Sequence, residues 1–310
     1  MNTTMPTVIL AADRRECVVV RGRDARSFLQ SQISQDLDVL TPGAGARSLL
    51  LEPQGKLLAS FRVLCLGPEE YLLDTDQGVG SVLVDGLRRF MIRVAVEVVS
   101  ADDLRIVEVR GNGVDAVLGA CGWTAPPEPG AHELVTDAIR VVRAPWPPVD
   151  GVDLVVAASH VDATVGALVA AGATVLDAAA TETLRVESGV VRQGADIDAS
   201  TIAHEAHLDL DAVSFTKGCF VGQELVCRID SRGHVNRFVR RLRVDGASAP
   251  AVGTAVLFDD REVGVVTSSA PNAPLALATV RREVEPGATV LVAGVSAVVE
   301  SIEPTESTDH

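Results

Sequence analysis

Aromatic residues are scarce in this chain: phenylalanine, tyrosine and tryptophan together make up 3% of its 310 residues. Hydrophobic residues nevertheless reach 47%, so Val, Ala and Leu must fill the core. Valine-rich runs favour strands, because β-branched side chains sit well on a pleated surface. Cysteines are few and unpaired in pattern. Cys17, Cys65, Cys121, Cys219 and Cys227 are odd in number and form no CxxC. That argues against a disulfide framework and against a permanent zinc or iron–sulfur site made by this chain alone, and it fits a reducing cytoplasm. No stretch approaches the roughly 18 apolar residues of a membrane span. Met1–Leu10 lacks the basic start and apolar run of a signal peptide. Positive charge is also in short supply. A net charge of −15 repels a phosphate backbone, so nucleic acid is not expected as a direct partner; with no apolar span, neither is a membrane. Arg232, Arg237, Arg240, Arg241 and Arg243 could form a local basic patch, but read more simply as a solvated face.

The length suggests two or three domains. Cys17–Val20 reads as a strand, and Asp24 can cap a helix with Ala25, Phe28, Leu29, Ile33 and Leu37 on one face. Pro42–Gly45 breaks that pattern. Strands follow at Arg47–Leu51, Leu57–Leu66 and Tyr71–Asp74, with a tight turn at Pro53–Gly55. A helix over Gln77–Phe90 and a strand over Arg93–Val99 complete the run. A similar alternation recurs: strand Leu104–Val109, helix Val114–Ala120, loop Pro126–Gly130, strands Ile139–Arg143 and Asp153–Ala157. A last helix opens on Ser159 and Asp162 in capping-box style and stops at Gly172. Successive strands mixed with helices predict α+β lobes rather than a doubly wound sheet. From Arg240 onward, short strands alternate with turns, which predicts a small β-barrel. The expected division is an α+β region over 1–240 with two lobes meeting near residue 100, a barrel over 241–305 and a disordered tail over 306–310.

The densest chemical signal is Lys217-Gly218-Cys219-Phe220-Val221-Gly222-Gln223-Glu224. Two glycines bracket a lone thiol beside a lysine, and Gly222 opens a helix through Leu225, Val226 and Ile229. A helix N-terminus and the Lys217 ammonium would both favour thiolate, and so a Cys219 pKa below the usual value of about 8.5. Taken alone, Cys219 is as readily a small buried hydrophobe, as most free cysteines are. His204-Glu205-Ala206-His207 lacks the histidine spacing of a zinc helix, so no metal site is expected there. Trp123 and Trp146 flank proline-rich turns and read as packing residues.

Lys217–Glu224 resembles the K-G-C-[FY]-x-G-Q-E signature of the YgfZ family. Leu184-Arg185-Val186-Glu187-Ser188-Gly189, followed by Gly194-Ala195-Asp196-Ile197, is similar to that family's L-R-x-E-x-G and G-x-D-I segments. Gly22–Ala25 with Phe28, Leu29, Gln30 and Gln32 resembles its opening, and Val263–Ser268 its terminal barrel. The resemblance spans about residues 15 to 300. It implies two interlocked ferredoxin-like α+β lobes plus a C-terminal β-barrel around a central folate channel, with tetrahydrofolate or a one-carbon derivative as cofactor. Glu187 matches the glutamate that contacts the pterin in the related aminomethyltransferases, and Arg228 could clamp the folate's glutamate tail. Gln223 and Glu224 complete the candidate binding set, and Cys219 with Lys217 the reactive one.

Two functions follow from the resemblance, with a folate-binding interaction module without redox chemistry as a third reading if Cys219 is inert. In the first, the protein is a folate-binding accessory factor for assembly or repair of [4Fe–4S] enzymes. Its partners are then folate and iron–sulfur clients or assembly proteins, its link to tRNA modification is indirect, and it is not a classical enzyme. In the second, it is a tetrahydrofolate-dependent aminomethyltransferase of the glycine-cleavage type. Such enzymes carry an aspartate near the folate, for which Asp74 or Asp76 could stand in, although the pattern around them departs from the enzymes'.

Overall fold

A computed structural model describes residues 5–10 and 14–302; the expected tail over 306–310 lies outside them. The chain divides into two units, one of Met1–Asp177 with Asp209–Arg228 and the other of Ala178–Leu208 with Ile229–His310. No helix among the described residues is long and apolar enough to cross a membrane.

The first unit begins with β1 (Val8–Ile9). It then runs β2 (Arg15–Arg21), α1 (Ala25–Gln32), β3 (Gly45–Leu51), β4 (Leu57–Gly67), β5 (Glu70–Asp76), α2 (Gly80–Arg88) and β6 (Glu97–Ser100). The same series of elements follows as β7 (Leu104–Arg110), α3 (Val114–Ala120), β8 (His132–Thr136), β9 (Ile139–Arg143), β10 (Gly151–Ala157), α4 (Val161–Ala170) and β11 (Thr174–Val175). The sheets repeat as well: the first is ordered β3-β4-β5-β2-β6, the second β8-β9-β10-β7-β1-β11. They differ only in β1, which is inserted between β7 and β11. The first strand of the chain therefore completes the second lobe, and the two lobes interlock.

Local expectations change in several places. The strand expected over Arg93–Val99 is Glu97–Ser100, and the helix expected over Gln77–Phe90 is Gly80–Arg88. Helix α1 ends at Gln32, because Ile33 is extended and bridges Leu50. Ile33 and Leu37 are still fully buried, so their spacing reports a common core rather than a longer helix. Asp24 makes no cap; its Oδ2 accepts the Ala95 N–H at 2.7 Å. Ser159 makes no capping box either, since it lies in a 3-10 turn with its hydroxyl 3.1 Å from His160 Nδ1.

Strand alternation gives each sheet two apolar faces. In the first lobe Val18, Val20, Phe61 and Leu73 face helices α1 and α2. In the second, Val107, Val109, Val141 and Leu154 pack with Leu118 of α3 and Leu168 of α4. The opposite faces meet through Cys17, Leu64 and Leu72 on one sheet and Ile106, Val142 and Val155 on the other. Burial, reinforced by Asp74, pushes the Cys17 thiol up to about 12.

A chain of charges runs across this junction. Asp74 is enclosed by Arg15 and by Arg62, whose Nε stands 2.9 Å from it. The same guanidinium reaches Asp153 of the second sheet at 2.8 Å, and Asp153 is held from the other side by Arg110 at 2.8 Å. Arg110 also pairs with Glu108 at 3.3 Å and lies 4.5 Å over the Trp146 ring. Three guanidinium groups thus balance three carboxylates. Burial alone would raise Asp153, but Arg110, Arg62 and Arg15 prevail and hold it down at about 2. Nearby, the His132 N–H donates to Gly43 of the first lobe at 2.7 Å, and the His132 ring is buried.

The second unit holds α5 (Ala178–Glu187) and a closed barrel ordered β12-β15-β14-β13-β16-β17. Its strands are β12 (Arg237–Val244), β13 (Ala255–Phe258), β14 (Arg261–Ser269), β15 (Leu275–Arg281), β16 (Thr289–Val292) and β17 (Val295–Glu300). Asp259 and Asp260 both take positive φ, the two-residue turn that matches strand twist. The barrel's first strand begins at Arg237, ahead of the boundary expected at 241, and its unit also takes residues 178–208. Most of the arginine cluster is paired: Arg237 with Glu205, and Arg241 and Arg243 with Glu300.

Two outcomes follow for stability. Arg62→Met leaves two buried aspartates short of a partner and should lower the unfolding free energy by about 3–5 kcal/mol in urea titrations. Burial, aided by Arg140, lowers the His132 pKa to about 4. The unfolded chain, with a reference histidine near 6.5, then binds more protons between those values. Stability should fall as pH drops from about 6.5 towards 4, by up to about 3 kcal/mol more in wild type than in His132→Gln.

Candidate functional site

The signature segment returns to the first lobe through α6 (Asp209–Ala212), where Ser34 Oγ donates to the Ala212 carbonyl at 2.6 Å. Lys217 then reaches under the end of α1. Its ammonium donates to the carbonyls of Gln30, Ile33 and Gln35 at 2.8, 2.7 and 2.8 Å. These acceptors include carbonyls that a helix end leaves open. An ammonium has three protons, and all three are engaged. Burial draws the Lys217 pKa down to about 8, against carbonyls that favour the charged form. The structure therefore gives Lys217 the task of a clamp, with no donor left over for the Cys219 sulfur.

The rest of the segment is similarly built. Phe220 is buried, with its ring 5.2 Å from the Lys217 nitrogen. Gly222 has φ +81°, and a Cβ there would stand 2.5 Å from the Glu52 carbonyl oxygen. Gly55, in the turn between β3 and β4, faces it with φ +75° and room for no Cβ beside Leu225. This pair of glycines lets the turn and the signature nest, a contact beyond the ordinary turn expected at Pro53–Gly55. Helix α7 (Gln223–Arg232) starts directly after Gly222. The Gln223 side chain folds back so that its Oε1 accepts the Phe220 N–H at 3.2 Å. Glu224 lies in the first turn of α7, where a carboxylate is favoured, and Arg228 is exposed one turn on.

Cys219 is exposed. It lines a pocket of about 530 Å³ together with Arg23, Arg26, Gln30, Asp38 and Glu69. Arg26 is fixed there by the carbonyls of Leu37 and Asp38 at 2.6 and 3.0 Å, and Gln30 by Asp36 and the Leu37 N–H. The opening motif around Gly22–Gln30 and the signature thus share one pocket. Each is visible in sequence, but nothing in their wide separation shows that they meet. Asp74 is fully buried between Arg15 and Arg62 and is not free to face a ligand.

Glu187 lies in the other unit, as the last residue of α5. Its carboxylate is exposed. The motif around it has a structural core: Arg185 is buried against Asp196 at 2.7 Å and also binds Glu182 and Ser268. Asp196 accepts further bonds from Thr267, Ser268 and the Arg192 N–H. The paired Arg185 and Asp196 explain physically why the L-R-x-E-x-G and G-x-D-I segments occur together. In the nearby 3-10 turn Glu205 binds Arg237, and His207 stacks on Phe238 at 5.4 Å.

A duplicated α+β lobe joined to a closed barrel defines the aminomethyltransferase fold. The structure matches the crystal structure of glycine cleavage system aminomethyltransferase T from Bartonella henselae with a TM-score of 0.86, over 96% of this chain and 86% of that one, at 20% identity. Residues 13–217 match the family model described as the GCVT N-terminal domain, and the chain belongs to that family. It is 27% identical to the tRNA-modifying protein YgfZ of Edwardsiella ictaluri, over 79% of this chain and 74% of that protein. It is 24% identical to YgfZ of Yersinia enterocolitica, over 81% and 76%. The aminomethyltransferase of Bordetella pertussis is 26% identical over 79% of this chain and 65% of its own length. These likenesses agree with a YgfZ-type protein related to the aminomethyltransferases.

The geometry separates structural from displayed residues in the signature. Lys217→Met should orphan three carbonyls and lower the unfolding free energy by about 1–3 kcal/mol. Cys219→Ser, at an exposed position, should change it by less than about 0.5 kcal/mol. Urea titration of both variants checks the contrast.

Proposed function

We propose that the protein is a folate-binding accessory factor for assembly or repair of [4Fe–4S] enzymes, supporting tRNA modification indirectly, with Cys219 as its functional thiol. One observation carries this reading. Lys217, Phe220, Gly222 and Gln223 each hold the signature loop in place, whereas Cys219 is exposed on it beside a pocket. A loop so firmly built around a thiol with no packing task is suited to presenting that thiol. The description of the YgfZ relatives as tRNA-modifying supports the wider role.

Tetrahydrofolate is the cofactor in this reading. Glu187 supports it, because its carboxylate is exposed on the last residue of α5, open to donors from a ligand. A pterin edge offers the paired N–H donors that would satisfy that carboxylate. Arg228, exposed on α7, is the candidate partner for the anionic tail. The glycine-cleavage alternative is less well supported, since the burial of Asp74 between two arginines removes one of the two candidate aspartates.

Calorimetry with tetrahydrofolate should show that Glu187→Gln weakens binding by roughly 10- to 100-fold, the equivalent of one charge-assisted hydrogen bond. In a complemented deletion strain, Cys219→Ser should leave folate affinity intact and fail to restore [4Fe–4S] enzyme activity. Full restoration would make the protein a plain folate-binding module. Robust ammonia release with lipoylated carrier protein and tetrahydrofolate would favour the aminomethyltransferase instead.

A further inference from the structure

Glu187 stands at the end of α5, and a side chain of the barrel holds that end. Arg241 of β12 donates from Nη1 to the Glu187 carbonyl oxygen at 2.5 Å. That carbonyl is among those a helix terminus leaves without an intrahelical partner. A guanidinium is also the charge that a helix C-terminus and a terminal carboxylate both favour. The side chain of Arg241 is itself fixed. Its Nε binds Glu300 Oε2 at 2.7 Å, from the facing position on β17. Arg243, two residues along β12, binds the other oxygen of Glu300 at 2.7 Å. Burial would raise the Glu300 carboxyl, but hydrogen bonds from Arg243 and Arg241 prevail and keep it below its usual value. Two residues beyond Glu187, Gly189 takes φ +67°, and a Cβ there would stand 3.1 Å from Ile302 Cβ. The terminal turn of α5 is thus held by Arg241 of β12 and packed closely against Ile302, two residues beyond β17.

We infer that Arg241, oriented by Glu300, is a positioning residue that fixes this turn so that the Glu187 carboxylate meets the pterin edge of a reduced folate in one orientation. The inference rests on the assignment of Glu187 to folate made above. Arg241 acts through the Glu187 backbone and does not touch the ligand. Its loss therefore matters for binding only while the Glu187 carboxylate is there to be positioned.

The test uses the full chain with Arg241→Met, Arg241→Lys and Glu187→Gln, singly and with each Arg241 variant combined with Glu187→Gln. Tetrahydrofolate affinity is read by calorimetry, and amide exchange at Ser188, Gly189 and Val190 is read in the ligand-free protein. Arg241→Met should weaken binding about tenfold, and Arg241→Lys should recover part of that loss. In the Glu187→Gln background Arg241→Met should change affinity by less than about twofold, the non-additivity expected when one residue acts through another. Exchange at Ser188 and Gly189 should quicken in Arg241→Met. If Arg241→Met does not fold, Glu300→Gln replaces it and should give a smaller loss with the same non-additivity. Equal losses in both backgrounds, or an Arg241→Met protein that binds and exchanges like wild type while Glu187→Gln alone weakens binding, would overturn the positioning role and leave the Glu187 assignment standing. Unchanged affinity in Glu187→Gln, with exchange still quickened by Arg241→Met, would overturn the Glu187 assignment and the positioning role with it.

Discussion

Arg62 binds an aspartate from each of the two sheets, and the arrangement of the first unit depends on that guanidinium. The duplicated lobes place Asp74 on β5 and Asp153 on β10, strands that hold equivalent places in the two sheets. Two buried carboxylates facing one another across a dry junction would repel strongly. With Arg62 between them, and Arg15 and Arg110 outside, the charges alternate and balance. Such a network adds little net stability compared with apolar packing. Its value here is geometric. The valine-, alanine- and leucine-rich faces on either side could slide past one another with little penalty, whereas a fork bound to two aspartates cannot.

The same network shapes where chemistry can occur. A carboxylate on β5 is an obvious candidate for facing a ligand, but Asp74 is fully enclosed by its arginines. An exposed thiol, that of Cys219, lies instead on a loop that returns from far along the chain. That loop is held by Lys217 under α1 and by the glycine pair Gly55 and Gly222. The lysine that sequence reasoning assigns to thiol activation is engaged in anchoring, and the arginines beside the thiol's pocket come from α1 and the turn before it.

The legibility of these features in the sequence depended on how local each one is. Strand Leu57–Gly67, helix Val114–Ala120 and the barrel strands carry a period long enough to read, and Asp259-Asp260 marks its own turn. Strands β1 and β11 have two residues each, too few for any period, so the resemblance implies interlocked lobes but periodicity does not show which strands interlock them. The duplication shows only as a recurring order of elements and not as repeated residues, because equivalent core positions need only be apolar and aliphatic side chains of similar volume can replace one another there. Asp24 and Ser159 mislead because a short polar residue before a helix resembles a cap whether or not a better partner, such as the Ala95 N–H, lies across the fold. Family resemblance drew notice to the segments holding Arg185, Glu187, Asp196 and Cys219. It could not say that Arg185 and Asp196 bind each other.

These cases share a cause in the composition. A core with so few aromatic rings gains area from Val, Ala and Leu but little orientation, since aliphatic contacts are nearly indifferent to angle. Orientation then has to come from groups with fixed geometry. In three separate places the chain uses a buried or half-buried arginine fork for this purpose: Arg62 between the sheets, Arg185 between α5 and β14, and Arg241 between the end of α5 and β17. Each joins segments distant in sequence, and each is neutralised by a carboxylate at the site. Because each such pair is neutral, placing it in the interior leaves the net charge of −15 to the remaining groups, and the arginines can orient the fold without altering the acidic balance of the chain.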